Sequence, residues 1–139
     1  MTEMPVDFER KLGVPRLESK LFSFERKVTM TIQIKNIFHA TDGVAGTEDF
    51  LTLLKSSQVK IQRIVSRSSA TPENEWYDQA HSEWVLVVRG RAVLEFEEGQ
   101  RMELKEGDYL TLPPRARHRV SETGPETIWL VVHIPEQTD

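Results

Sequence analysis

Two stretches concentrate the side chains able to do chemistry. From Trp76 to Gly90 the chain reads W-Y-D-Q-A-H-S-E-W-V-L-V-V-R-G. An acid (Asp78), an amide (Gln79), an imidazole (His81) and a second acid (Glu83) run there into an apolar strand that stops at a glycine. From Gly107 to Val120, G-D-Y-L-T-L-P-P-R-A-R-H-R-V supplies another imidazole, His118. Carboxylates and imidazoles are the groups that exchange protons near neutral pH or hold a cation. The chain has no cysteine, which removes disulfides, thiolate nucleophiles and Cys-type zinc sites. Any metal must be held by nitrogen and oxygen.

The elements that position these groups follow from length and pattern. With 139 residues, 38% apolar and 29% charged, the chain has the composition of one folded domain, able to bury roughly two thirds of its unfolded surface. No apolar run approaches the roughly twenty residues of a membrane helix, and the first residues, M-T-E-M-P-V-D-F-E-R-K-L, lack the pattern of a secretory signal. The expectation is a cytoplasmic protein. A net charge of −4 gives no general attraction to nucleic acid or an anionic membrane, so the partner expected is a small-molecule ligand.

Residues 1 to 30 are charged and broken by Pro5, Gly13 and Pro15, which predicts a loosely structured arm. Its apolar groups, among them Phe8, Leu12 and Phe22, suit packing on the domain or on a partner subunit. The domain itself is expected over 31–139. T-I-Q-I-K-N-I-F from Thr31 alternates as a half-buried strand does, and residues 41–46 read as a turn. Thr47, Glu48 and Asp49 before F-L-T-L-L-K predict a short helix. From V-K-I-Q-R-I-V-S (59–66) onward the chain is a series of short strands, and the turns recur every eight to twelve residues. That pattern predicts an antiparallel sandwich or barrel with exposed edges suited to a homodimer.

Other residues divide between pocket and framework. Arg63, one strand before the first motif and among apolar neighbours, is the arginine expected inside. Arg115, Arg117 and Arg119 alternate through His118 and either frame the mouth of a pocket for an acidic ligand or form a solvated face balanced by Glu95, Glu97 and Glu98. Trp76 and Tyr109 are expected to line the pocket. His133 is either a pocket wall or a satisfied core residue, and His39 is expected on the surface.

Glu83 followed by six residues and Gly90, then Gly107, five residues, Pro113 and four more to His118, resembles the paired signature of the cupin family over roughly residues 59 to 134. The resemblance implies an all-β fold, a double-stranded β-helix or jelly-roll barrel, here with a short N-terminal helix and arm. It also implies a divalent metal held by three histidines and the glutamate. Two departures stand out. The histidine positions of the first motif fall on Trp76 and Asp78, or with shorter spacing on Tyr77 and Gln79, and Arg115 stands where glycine is usual.

Strand alternation allows only one of those pairs to point inward, and Asp78 is the favoured inward residue. Asp78, Glu83 and His118 would then give a divalent Fe, Mn or Zn ion two carboxylates and one imidazole, with Gln79 or His81 as a further ligand or supporting hydrogen bond. Glu83 and Asp78 are the expected catalytic groups, and Gln79, Arg63, Trp76 and Tyr109 the expected substrate contacts. The same residues serve two other schemes. In one, the paired carboxylates repel and divide into an acid and a base without metal. In the other, the polar groups only orient a ligand in a sensing or binding module.

Overall fold

The computed structural model describes residues 31–40 and 42–135. The chain divides into two units, 1–35 and 36–139; the account below concerns the second, and the arm expected over residues 1–30 lies outside the described residues.

Eight strands follow one another: β1 (Thr47–Lys55), β2 (Lys60–Arg67), β3 (Ser82–Arg89), β4 (Ala92–Phe96), β5 (Arg101–Leu104), β6 (Tyr109–Leu112), β7 (His118–Thr123) and β8 (Thr127–Ile134). They form a five-stranded sheet, ordered β1-β2-β8-β3-β6, and a three-stranded sheet, ordered β5-β4-β7. All the pairings are antiparallel. The alternation that predicted the strands appears directly as burial: along β3, Glu83, Val85 and Val87 are buried while Ser82, Trp84 and Leu86 are partly exposed.

The core lies between the sheets. Val85, Val87, Trp129 and Val131 from the larger sheet meet Ala92, Leu94 and Leu104 from the smaller, and their removal from water is the main force closing the two layers. Trp129 needs a partner for its indole N–H once buried and donates to Ser66 Oγ at 3.2 Å.

Two sequence expectations are corrected. Thr47–Lys55 is strand β1, not a helix. Nine residues make a marginal helix on their own, whereas β2 offers an open edge, and β1 pairs along it from Thr47↔Arg67 to Lys55↔Lys60 with a bulge between Thr52 and Leu54. The segment from Thr31 to Phe38 forms no strand. The carbonyls of Ile37 and His39 instead accept hydrogen bonds from the buried Arg63 guanidinium at 3.3 and 2.7 Å.

The turns expected at glycines are present. Gly90, between β3 and β4, has φ +87°, and a Cβ there would stand 2.6 Å from the Glu126 carbonyl oxygen; Gly99, in the β4–β5 turn, has φ +104° with open space around it. Left-handed backbone alone costs an L-residue about 1–2 kcal/mol. Gly99→Ala is therefore expected to lose about 1 kcal/mol and Gly90→Ala about 3 or more, because backbone must also move. Equal losses in chemical denaturation would contradict this account of the turn.

Candidate functional site

The inner face of the larger sheet changes character along its length. Trp129 and Val131 of β8 and Val85 of β3 pack in the core, and the next residues on that face are His133 and Glu83. They are direct cross-strand partners. Together with Glu48, Gln62, Tyr77, Gln79 and His118 they bound a cavity of about 130 Å³ whose remaining walls are apolar.

Three donor groups converge at its edge. His133 Nδ1 lies 2.9 Å from His81 Nε2 and 3.3 Å from Glu83 Oε1, and His81 Nε2 lies 3.9 Å from the same oxygen. On its other side His133 donates Nε2–H to Gln62 Oε1 at 2.8 Å. In a neutral ring that bond leaves Nδ1 as a lone pair facing the Glu83 carboxylate. That lone pair can accept Nε2–H from His81, and with both rings as acceptors the same atoms can take a cation. Two imidazole nitrogens and a carboxylate oxygen, all within 4.8 Å of one another, suit a divalent transition metal, and Gln62 is placed as the supporting group that fixes the ring. The donor set fits the ion.

Burial pushes the Glu83 carboxyl up, but hydrogen bonds from His133 and Gln79 and the positive potential of His133 and His118 outweigh it, so its pKa lies below the ordinary value. Glu83 is an anion at neutral pH. A depressed carboxyl contributes stability that is complete above the unfolded value and is lost as pH falls below about 4.5.

A second pair forms the opposite wall. Tyr77 and His118 exchange both backbone hydrogen bonds, at 2.7 and 3.2 Å, and their rings stack with centroids 5.6 Å apart. His118 donates Nδ1–H to the Ala116 carbonyl at 2.7 Å, so the neutral ring keeps its lone pair on Nε2. Burial, and secondarily the Glu48 carboxylate, raises the Tyr77 pKa; the phenol keeps its proton.

The residues singled out in the sequence are thus partly gathered and partly dispersed. Glu83, Gln79 and His118 line the cavity, and His81 stands at its edge with Glu83 and His133. Asp78 does not point inward: it is exposed and paired with Arg115 at 3.3 Å. Tyr77 and Gln79 take the inward face, the opposite outcome of the alternation. The paired-carboxylate scheme loses its geometry with Asp78. Arg63 lies on the outer face of β2, bonded to carbonyls. Tyr109 is exposed and packs on Trp84, and Trp76 does not line the cavity. Arg117 and Arg119 pair with Glu97 and Glu95, forming the balanced strand face. The contributions of Glu48 and Gln62 were not legible in the sequence; Tyr77 stood with Gln79 as the less favoured inward pair, and for His133 its place on one face with Trp129 and Val131 was the available signal.

The comparisons agree with this architecture. The Cupin domain family model matches residues 68–134. A Ralstonia eutropha JMP134 structure described as a "putative mannose-6-phosphate isomerase" is 37% identical, with a TM-score of 0.70 over 76% of this chain and 100% of that one. A cupin superfamily protein of Desulfitobacterium hafniense DCB-2 (16% identity, TM-score 0.60, 69% of this chain and 84% of that one) shares the fold. So does an RmlC-like cupin of Methanocaldococcus jannaschii with a double-stranded β-helix (18%, 0.58, 77% and 94%). A comparison with curated proteins finds no match.

Arg115, at the position where glycine was expected, has φ +64°. The left-handed turn is therefore kept without the residue that adopts it freely. Its N–H donates to the Gln79 carbonyl at 2.7 Å, which ties the turn to the cavity wall. Arg115→Gly is expected to be about 1 kcal/mol more stable than Arg115→Ala, since only glycine removes the backbone strain while both lose the same exposed ion pair. Equal thermal unfolding of the two variants would refute the strain.

Proposed function

The chain belongs to the cupin family, and on that premise we propose that it is a metal-dependent enzyme acting on a small oxygenated molecule, with a divalent ion held by His81, Glu83 and His133. The observation that carries this reading is the convergence of His133 Nδ1, His81 Nε2 and Glu83 Oε1 within 4.8 Å of one another, with the His133 ring held from its other side by Gln62.

When bound, the ion supplies Lewis acidity, polarising a carbonyl or hydroxyl oxygen of the ligand. The chain supplies the proton chemistry. His118 presents Nε2 as a proton acceptor, its ring held by the Ala116 carbonyl. Tyr77, kept protonated, is a hydrogen-bond or proton donor beside it. Leu94, Leu112 and Val120 form an apolar wall that limits water. An acceptor and a donor facing one small cavity suit proton transfer between neighbouring carbons. The name carried by the Ralstonia eutropha relative makes isomerisation between a carbonyl and an adjacent hydroxyl the first reaction to assay.

Elemental analysis of protein purified without an affinity tag is expected to find about one divalent ion per chain, with affinity falling on acidification as protons compete for the same lone pairs. His133→Ala should lose the ion, Gln62→Leu should weaken it about 10- to 100-fold, and Asp78→Asn should leave it unchanged. Metal below stoichiometry in the wild type, and no lower in His133→Ala, would sink the reading. For the chemistry, His118→Gln is expected to lower turnover of an accepted substrate about 10²- to 10⁴-fold at unchanged metal content; unaltered turnover would remove His118 from the mechanism.

A further inference from the structure

The inner cavity does not end at the candidate metal donors. It continues into a wider cleft of about 630 Å³ that shares Phe50, Gln62, Gln79 and His133 with it. Two lysines, Lys55 and Lys60, line that outer cleft beside the tip of the β1–β2 hairpin.

Their placement follows from register. Lys55 is the direct partner of Lys60, Lys60 of His133, and His133 of Glu83. One row across the inner face of the sheet therefore reads lysine, lysine, imidazole, carboxylate, with neighbours about 4.8 Å apart in the pairing direction. Like charges directly opposite on an antiparallel pair destabilise it, and no acid among the described residues is paired with either. Seven of the eight arginines among the described residues have a carboxylate within 3.9 Å, and the eighth, Arg63, bonds to backbone carbonyls. Neither Lys55 nor Lys60 has an acidic partner among the described residues. Glu48 and Glu83 meanwhile line the inner cavity, so the joined space is polarised, negative at its inner end and positive at its mouth.

We propose that Lys55 and Lys60 form an anion subsite, and that the ligand of this protein is a small molecule carrying a phosphate or carboxylate group. The anionic group sits between the two ammonium groups, relieving their repulsion, and the neutral oxygenated end passes His81 and His133 into the inner cavity. The opposite orientation would set the anion against Glu83 and Glu48. The inference deepens the proposed function and rests on it only for what happens at the inner end.

Three probes that differ only in one group test it: glycerol, glycerate and glycerol 3-phosphate. Each is titrated into isotope-labelled protein, with binding read from amide shifts by nuclear magnetic resonance, in metal-supplemented and chelator-treated samples. In the wild type at low salt at least one anionic probe is expected to bind about tenfold or more tightly than glycerol, and the preferred probe tells phosphate from carboxylate. The preference is expected to fall to within about twofold in Lys55→Gln/Lys60→Gln and to persist in Lys55→Arg/Lys60→Arg. Both lysines are at the open cleft, and the amide spectrum reports directly that each variant is folded. No preference over glycerol in the wild type, or a preference of the same size in the glutamine variant, overturns the subsite. A lysine-dependent preference in a protein that takes up no metal supports the subsite and refutes the metal reading alone.

Discussion

The position of β8 between β2 and β3 is the constraint on which the site depends. Its antiparallel register sets His133 opposite Glu83 on one side and Lys60 on the other. A slip of one residue would turn Trp129, Val131 and His133 to the outer face and bring Ile128, Leu130 and Val132 inward. The core would then lose the indole that donates to Ser66 and the cavity would lose its central imidazole. The burial of Trp129 and Val131 therefore fixes the geometry of His133 as well as the stability of the sheet. The same strand that closes the core delivers the chemistry at its end.

Electrostatics divide the molecule into two regimes. On the surface, arginines and acids are paired, as with Arg117 and Glu97 or Arg91 and Glu122, and such exposed pairs contribute little to stability. Inside, Glu83 is held as an anion in a mostly apolar pocket by His133 and Gln79. A buried carboxylate is tolerable only when such partners are supplied. With its own oxygen, the His81 and His133 nitrogens beside it form a donor set that suits a cation. Stability and cation affinity meet at His133, which helps to make the buried charge acceptable and would also coordinate an ion.

Much of the framework was legible because its signals are local. Alternation over W-V-L-V-V and T-I-W-L-V-V-H-I, and turns at Gly99 and Gly107, depend on residues close in sequence, and each appears as a strand or turn. Thr47–Lys55 misled because its local pattern suits a capped helix, while the hydrogen bonds that decide its state come from the edge of β2. Thr31–Phe38 misled in the converse way, carrying a strand's alternation while joining no sheet.

The sequence by itself determined that the chain builds a jelly-roll of short antiparallel strands, that acids and imidazoles gather before β3 and at β7, and that no cysteine is available for thiolate chemistry. The spacing of Glu83, Gly90, Gly107, Pro113 and His118 also identified the family. Tertiary structure alone decided which of two equivalent faces turned inward. Period-two alternation has two solutions of equal merit at Trp76–Gln79, and the backbone bonds between Tyr77 and His118 select the one with Tyr77 and Gln79 inside. It also brought His133 to His81 and Glu83 across about fifty residues of chain, a proximity that rests on strand pairing and core burial and so leaves no local trace in the order of the residues.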